Sequence, residues 1–191
     1  MIKAIIFDFF GIFYTDLFWT WLEKKLPDLE EKREILSQIN QKFDKNQIDE
    51  EEFLRSLSEV VSAPADKIVS EMDEGATFNY SLVGLLSELK KKYKLGLLTN
   101  ARSEWVRKIM EKYDFEKYFD SIIISSEVGH VKPEPEIFEE IIKLLGVSKS
   151  EALFVDDRIR NVAAAQELGI KSIIYVSNEK LMTDLKKQAL I

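Results

Sequence analysis

Short apolar segments alternate with longer amphipathic segments along most of the chain. The apolar segments are rich in Ile, Leu, Val and Phe, which is typical of strands buried on both faces of a parallel sheet. The predicted strands are Lys3 to Phe7, Leu95 to Leu98, Ser121 to Ile124, Leu153 to Val155 and Lys171 to Val176. The predicted crossover helices are Tyr80 to Tyr93, Ser103 to Tyr113, Pro135 to Leu145, Arg160 to Leu168 and Glu179 to Gln188. This alternation predicts an α/β fold with a Rossmann-like, doubly wound parallel sheet.

One long segment breaks this rhythm. Residues 16–73 show helical periodicity with charged faces and almost no strand signal. Pro27 and Pro64 interrupt the segment, and Glu74-Gly75-Ala76 has the composition of a return linker. We therefore predict a helical unit at residues 15–76, inserted into an α/β core formed by residues 1–14 and 77–191.

Composition narrows the classes of function. The chain has 191 residues, of which 46% are hydrophobic and 32% charged, as in an ordinary globular protein. Its net charge of -7 argues against a nucleic-acid or anionic-membrane partner. The absence of cysteine excludes disulfides, thiolate metal sites and a cysteine nucleophile. No segment has the pattern of a signal peptide or a membrane span, so we expect a cytoplasmic protein with a small polar partner.

Polar residues stand at the ends of four predicted strands. They are Asp8 after the first strand, Thr99 and Asn100 after the second, Lys132 in the loop after the third, and Asp156 and Asp157 after the fourth. Each alone is explained by helix capping or by a turn. Because ligands of open parallel sheets bind beyond the carboxyl ends of the strands, four coincident polar ends favour a binding site. A divalent cation together with Lys132 is the simplest way to keep the neighbouring acids ionised.

These strand ends lie within four motifs that resemble those of the haloacid dehalogenase-like hydrolase superfamily. The motifs are Phe7-Asp8-Phe9-Phe10-Gly11-Ile12, Leu97-Leu98-Thr99-Asn100, the segment from Glu127 to Pro135 that contains Lys132, and Phe154-Val155-Asp156-Asp157. The helical insertion resembles the C1-type cap of that superfamily. The resemblance extends over essentially the whole chain, and the order of the four motifs makes it specific. It implies a core of five parallel strands in the order 5-4-1-2-3.

The resemblance implies a reaction with phosphate esters. Asp8 corresponds to the nucleophile, which attacks phosphorus and forms an aspartyl-phosphate. Thr99 and Asn100 correspond to residues that hold the phosphoryl group. Lys132 corresponds to the cation that neutralises the developing charge and positions the nucleophile.

The resemblance also implies a magnesium site. Asp8, Asp157 and the main-chain carbonyl of Phe10 correspond to its ligands, and Asp156 acts directly or through a water molecule. An all-oxygen site of this kind suits Mg²⁺. The implied function is therefore Mg²⁺-dependent hydrolysis of a small phosphorylated metabolite, a phosphate monoester.

Phe10 departs from the superfamily pattern, because phosphatases usually carry a second Asp there as the general acid/base. Three hypotheses follow. The chain is a phosphatase that acts on good leaving groups or uses another proton donor, such as Tyr14, Asp16 or a residue of the insertion. Alternatively it is a 2-haloacid dehalogenase, whose halide needs no proton, or a catalytically weak protein that binds a phosphorylated ligand.

The dehalogenase hypothesis meets two objections from the sequence. Dehalogenases of this superfamily are metal-free, and their fourth motif is not a pair of adjacent acids such as Asp156 and Asp157. They also bind halide through an arginine of the cap, and the corresponding segment here, Phe18-Trp19-Thr20-Trp21, contains none.

Overall fold

The computed structural model describes residues 1–191 and contains five strands. They are β1 (Ala4–Phe7), β2 (Lys94–Thr99), β3 (Ser121–Ile124), β4 (Ala152–Asp156) and β5 (Lys171–Ile174). All neighbouring strands pair in parallel, in the order β3-β2-β1-β4-β5. This is the predicted order read from the other edge, so the Rossmann-like parallel sheet is confirmed.

Ten α-helices accompany the sheet. They are α1 (Leu17–Lys25), α2 (Leu29–Asp44), α3 (Glu50–Val61), α4 (Ala65–Asp73), α5 (Val83–Lys90), α6 (Ser103–Lys112), α7 (Ser125–Val128), α8 (Pro135–Leu145), α9 (Ile159–Glu167) and α10 (Asn178–Lys187). None is long and apolar enough to cross a membrane. Short α7 was not predicted, and it places residues of the third motif directly after β3.

Several predicted element ends differ from those in the structure. The helix predicted from Tyr80 begins with a 3₁₀ turn, and its α-helical part starts only at Val83. The last predicted strand stops at Ile174, because Ile174 pairs with Asp156 and β4 ends there. Thr99 and Asp156 are the last residues of β2 and β4 rather than the residues that follow them. Each strand end thus depends on where its neighbour ends.

The two faces of the sheet are covered by different helices. On one face, Ile6, Leu98 and Phe154 pack in a cluster with buried residues of α8. On the other face, Ile5, Leu97 and Val155 join a larger cluster that also includes residues of α5 and α10. Strand residues alternate between these clusters, so the sheet is buried on both sides, as the apolar runs predict.

The insertion between β1 and β2 is helical, as predicted, and consists of α1 to α4. Its apolar centre includes Phe43 and Phe53, whose rings stack with centroids 3.9 Å apart. Leu36, Leu57 and Ile68 are fully buried beside them. In the structure the insertion comprises residues 17–73, the span of these four helices.

Phe138 of α8 packs directly against the sheet. It is fully buried, and its ring meets that of Phe154 edge to face with centroids 5.3 Å apart. We expect Phe138→Ala to lower the free energy of unfolding by about 3–5 kcal/mol, because the truncation leaves a cavity. Urea unfolding measures this change. Leu144→Ala on the exposed side of the same helix is the control, and an equal loss there would contradict the assigned packing.

Candidate active site

Lys132 joins two acids that stand at the ends of neighbouring strands. Its Nζ lies 2.7 Å from Asp8 Oδ1 and 2.8 Å from Asp156 Oδ2. The pairing of β1 with β4 brings these two acids side by side. All three side chains are buried, and Lys132 is only 2% exposed. The predicted convergence of Asp8, Lys132 and Asp156 is therefore present in the fold.

The two carboxylate oxygens of Asp8 have different surroundings. Oδ1 accepts hydrogen bonds from the backbone N–H of Phe9, at 2.7 Å, and from Lys132. Oδ2 accepts no hydrogen bond from the protein. The carboxylate is thus fixed through one oxygen, while the other remains available for a bond to a ligand.

Asn100 fixes the backbone of Lys132. Its Oδ1 accepts from Lys132 N–H at 2.7 Å, and its Nδ2 donates to the Lys132 carbonyl oxygen at 2.9 Å. The oxygen and the nitrogen of the Asn100 side-chain amide are therefore both hydrogen-bonded to the backbone of Lys132. The geometry makes Asn100 a positioning residue for Lys132, and its predicted contact with substrate stays a prediction.

Three buried oxygen atoms in this region lack a protein partner. They are the hydroxyl of Thr99, Oδ1 of Asp157 and the side-chain Oδ1 of Asn161. A buried polar group without a hydrogen bond is destabilising, and a bound ligand is one way of satisfying it. Thr99 and Asp157 are residues predicted to bind phosphate or metal, whereas Asn161 was not assigned such a role.

Asp8, Asp156 and Asp157 could together hold a cation. Each offers one carboxylate oxygen, and the three oxygens lie within 4.8 Å of one another. The carbonyl oxygen of Phe10 accepts no backbone hydrogen bond and is also free. Gly11 leaves room for this arrangement, since a Cβ there would lie 2.6 Å from Asp157 Oδ2. This all-oxygen donor set fits Mg²⁺.

Asp156 differs from Asp157 in having its oxygens occupied. Besides Lys132, Asp156 accepts from Asn161 Nδ2 at 3.0 and 3.1 Å, and from the backbone N–H of Arg158 at 2.8 Å. Its carboxylate therefore serves mainly to hold Lys132 and the β4 loop.

Burial and like charges set the protonation of the cluster. Burial raises the pKa of Asp8 well above its usual value, opposed by Lys132 and reinforced by Asp156. The pKa of Asp157 is raised by burial and then by Asp156. Burial alone would lower the pKa of Lys132, but Asp156 and Asp8 raise it. Lys132 pairs with only two of the three neighbouring acids, so a divalent cation would balance the remaining charge.

A cavity of about 90 Å³ opens above these residues, between the sheet edge and the insertion. Its lining includes five predicted residues: Asp8, Phe10, Thr99, Asn100 and Lys132. Asp156 and Asp157 adjoin it through their contacts with Asp8 and Lys132 but do not line it. The functional roles assigned to all seven residues remain predictions.

The proton donors named from the sequence differ in position. Tyr14 does not line the cavity, and its ring stacks on that of Phe9. Asp16 lines the cavity, but it forms an ion pair with Arg158 and accepts from the backbone N–H of Trp19. Neither carboxyl oxygen of Asp16 is free.

A family model described as haloacid dehalogenase-like hydrolase matches residues 2–169. The chain belongs to this family, which confirms the resemblance stated from its four motifs. It is therefore an enzyme of the hydrolase class.

Phosphatases are among its relatives. A sesquiterpene phosphatase of Aspergillus oryzae is 27% identical over 179 residues, which are 88% of this chain and 87% of that protein. D-ribitol-5-phosphate phosphatase of Bacteroides thetaiotaomicron is 27% identical over 187 residues, covering 90% and 91% of the two chains. A family enzyme of Bacteroides thetaiotaomicron, solved with magnesium and inorganic phosphate, is similar with a TM-score of 0.75 and 25% identity, covering 93% and 96%.

Sequence reasoning missed Asp44, a buried acid that the insertion contributes to the cavity. Asp44 ends α2, and Asn40 one turn earlier donates to its Oδ2 at 2.8 Å. Burial, and after it Asp16, raises the pKa of Asp44 to about 8. One available signal was its spacing: Leu36, Asn40 and Asp44 follow one another at intervals of four residues, which places the acid on the buried side of α2.

Asp44 gives the stability of the protein a defined pH dependence. Its pKa is about 8 in the folded chain and near 3.8 without burial. The protonated carboxyl therefore stabilises the folded state fully at pH values below the ordinary pKa of 3.8. This stabilisation is lost as pH rises through the folded-state pKa of about 8. We expect Asp44→Asn to raise the melting temperature by several degrees at about pH 8 but not at about pH 4.

Melting curves of both proteins at several pH values test this expectation. Asp66→Asn, which removes an exposed acid of α4, is the control for the loss of one charge. A difference between wild type and Asp44→Asn that does not change with pH would contradict the raised pKa.

Proposed function

We propose that this protein is a Mg²⁺-dependent phosphatase that hydrolyses a small phosphate monoester through an aspartyl-phosphate on Asp8. One observation carries the proposal. Asp8 presents an unpaired oxygen to a cavity, while Lys132 and the backbone hold its other oxygen. A fixed carboxylate with one free oxygen is suited to attack on phosphorus.

In the first step, Asp8 Oδ2 attacks phosphorus and the bond to the leaving oxygen breaks. Lys132, held by Asn100 and Asp156, neutralises negative charge that develops on the phosphoryl oxygens. The unpaired hydroxyl of Thr99 donates a hydrogen bond to one of these oxygens. In the second step, water attacks the aspartyl-phosphate and releases inorganic phosphate.

The metal would be held by Asp8, Asp157 and the carbonyl oxygen of Phe10. We assign Asp156 an indirect part, through water, because its oxygens already accept hydrogen bonds from the protein. When bound, Mg²⁺ supplies positive charge that favours the ionised form of Asp8 and the approach of a phosphate. Support for this metal comes from the three neighbouring acids and from the relative solved with magnesium and phosphate.

The proposal includes the domain arrangement expected from the sequence, with residues 15–76 as a cap over a core of residues 1–14 and 77–191. Thr15 and Thr77, at the two ends of the proposed cap, hydrogen-bond to each other. The N–H of Thr15 donates to Thr77 O at 3.1 Å, and the N–H of Thr77 donates to Thr15 Oγ1 at 3.0 Å. Movement about this pair would open the cavity to substrate and close it to bulk water.

The substrate is proposed to be a small phosphorylated metabolite in the cytoplasm. Its non-phosphate part would contact the insertion, since residues of α1 and α2 complete the cavity. The two relatives named above are a sesquiterpene phosphatase and a D-ribitol-5-phosphate phosphatase, so the non-phosphate part of the substrate varies within the family.

Phe10 keeps a second function open, because a dehalogenase needs no proton donor at this position. The adjacent acids Asp156 and Asp157, with the unpaired oxygen of Asp157, favour the phosphatase instead. A protein that only binds a phosphorylated ligand is the third alternative.

An assay with p-nitrophenyl phosphate and 2-chloropropionate separates these functions. We expect phosphate release with Mg²⁺, its loss with EDTA, and no chloride release under either condition. Asp8→Asn should abolish phosphate release without loss of the folded state, whereas the control Asp66→Asn should retain it.

Each alternative has its own outcome. Chloride release that resists EDTA would support a dehalogenase. No turnover of either compound, together with tight binding of beryllium fluoride, would support a binding protein.

The assignment of Asp157 to the metal makes a separate prediction. We expect Asp157→Asn to raise the Mg²⁺ concentration needed for half-maximal activity by at least about tenfold, because a charged ligand is lost. Mg²⁺ titrations of activity and calorimetric Mg²⁺ binding measure the change, with Asp66→Asn as the matched control. Unchanged Mg²⁺ affinity in both measurements would remove Asp157 from the metal site.

A further inference from the structure

The proposed reaction lacks a proton donor at its usual place. Phe10 lines the cavity, and its side chain carries no proton to donate. Three carboxyl groups line the same cavity: Asp8, Asp16 and Asp44. Asp8 is the proposed nucleophile, and both oxygens of Asp16 are engaged by Arg158 and by the start of α1. Asp44 is the remaining acid.

We propose that Asp44, contributed by helix α2 of the insertion, is the general acid/base that replaces the missing motif residue and protonates the leaving oxygen of the substrate. This inference rests on the proposed phosphatase function and deepens it. Its basis is an acid of the insertion that has one unpaired oxygen and lines the same cavity as the nucleophile.

The carboxyl of Asp44 is held but not fully paired. Oδ2 accepts from Asn40 Nδ2 at 2.8 Å, and Oδ1 has no hydrogen bond from the protein. The residue is 7% exposed and lines the cavity together with Asp8 and Lys132. A substrate with its phosphorus at Asp8 would therefore direct its leaving group towards the insertion, where Oδ1 is available.

The core holds the end of α2 at three consecutive residues. Ser125 Oγ donates to the carbonyl oxygen of Asp44 at 2.7 Å. Lys45 forms an ion pair with Glu134 at 2.5 Å, and Arg102 donates to Asn46. These contacts fix the position of Asp44 relative to the sheet edge. A donor on the insertion can be as well positioned as one on the core, provided that the insertion is closed.

The surroundings of Asp44 keep its proton near neutral pH. Burial raises its pKa to about 8, and the negative charge of Asp16, the N-cap residue of α1, acts in the same direction. Arg158, Lys132 and Arg160 face it from the core and oppose this shift without cancelling it. An acid with a pKa near the working pH is suited to donate and then recover a proton.

The two steps balance with Asp44 in this role. While Asp8 bonds to phosphorus and the bond to the leaving oxygen breaks, the Asp44 proton moves to that oxygen, leaving an alcohol and the Asp44 carboxylate. A water molecule then attacks phosphorus and gives its proton to Asp44. The bond between phosphorus and Asp8 breaks with its electron pair returning to Asp8, and both acids regain their starting states.

The leaving group provides the sharpest test. p-Nitrophenolate leaves without a proton, whereas the phenolate of phenyl phosphate, of similar shape, depends on one. We expect Asp44→Asn to lower kcat/KM for phenyl phosphate about 100-fold or more and for p-nitrophenyl phosphate only severalfold. The quotient kcat/KM reports the first irreversible step, so it isolates proton donation from the later attack of water.

Asp16→Asn is the matched comparison, because Asp16 is the other acid of the cavity outside the proposed nucleophile and metal ligands. We expect the ratio of kcat/KM for phenyl phosphate to kcat/KM for p-nitrophenyl phosphate to be the same in Asp16→Asn as in the wild type. A leaving-group-dependent loss in Asp16→Asn, with a wild-type ratio in Asp44→Asn, would overturn the assignment of Asp44.

Two further measurements distinguish proton donation from a structural effect. Adding Phe10→Asp to Asp44→Asn should restore turnover of phenyl phosphate at least tenfold, because an acid returns beside Asp8. In the wild type, kcat/KM for phenyl phosphate should fall above about pH 8, and this alkaline decline should vanish in Asp44→Asn. Absence of both effects would overturn the proposal.

Failure of this proposal can be told from failure of the proposed function. If wild type releases phosphate with Mg²⁺ and Asp8→Asn does not, the phosphatase stands, and only the ratio in Asp44→Asn decides the role of Asp44. If the wild type releases no phosphate from either ester, both proposals are wrong.

Discussion

The buried ammonium of Lys132, shared between Asp8 and Asp156, is the interaction on which the site depends. Removing three charged groups from water is costly, and a buried ion pair is seldom the most stable way to fill a core. The surroundings offset part of this cost, because Asn161 Nδ2 and the backbone N–H groups of Phe9 and Arg158 donate hydrogen bonds to the two carboxylates. The arrangement leaves one oxygen of Asp8 unpaired, which a purely structural ion pair would not require.

The parallel sheet makes this interaction available. The register that pairs Phe7 with Leu97 and with Val155 brings Asp8 to the same level as the ends of β2 and β4. Thr99 and Asp156, the last residues of the two strands that flank β1, therefore lie on either side of Asp8. Strand pairing alone places them there, and no particular loop conformation is needed. Gly11, with a φ of 84°, turns the chain away immediately afterwards, and it has no side chain to displace Asp157. Strand register and one glycine thus account for most of the site geometry.

These features explain why the sequence predicts the core of the site well. Apolar runs define the strands, the strand order follows from the superfamily resemblance, and each polar residue is found by its position after a strand. Strand and helix ends are less predictable, because Ile174 ends β5 only through its pairing with Asp156. The domain boundaries at residues 15 and 76 and the functional roles of the site residues remain predictions.

Asp44 shows the limit of this reasoning. The sequence places it near the end of a charged helix, where an acid is normally solvated. Its burial and raised pKa arise because α2 packs against the core at Ser125, Glu134 and Arg102, all distant in sequence. Local pattern can suggest that an acid is on the buried side of a helix, but it cannot show what covers that side.

The apolar residue at position 10 and the acid on the insertion are physically complementary. A carboxylate at position 10 would add a fourth negative charge beside Asp8, Asp156 and Asp157, where the one buried lysine pairs with only two of the acids. Phe10 avoids that repulsion. An acid that the insertion contributes to the same cavity instead retains its proton through burial, and that burial exists only while the insertion rests on the core. Proton donation then requires the same closed state that excludes bulk water from the aspartyl-phosphate, so closure and chemistry are linked through one side chain.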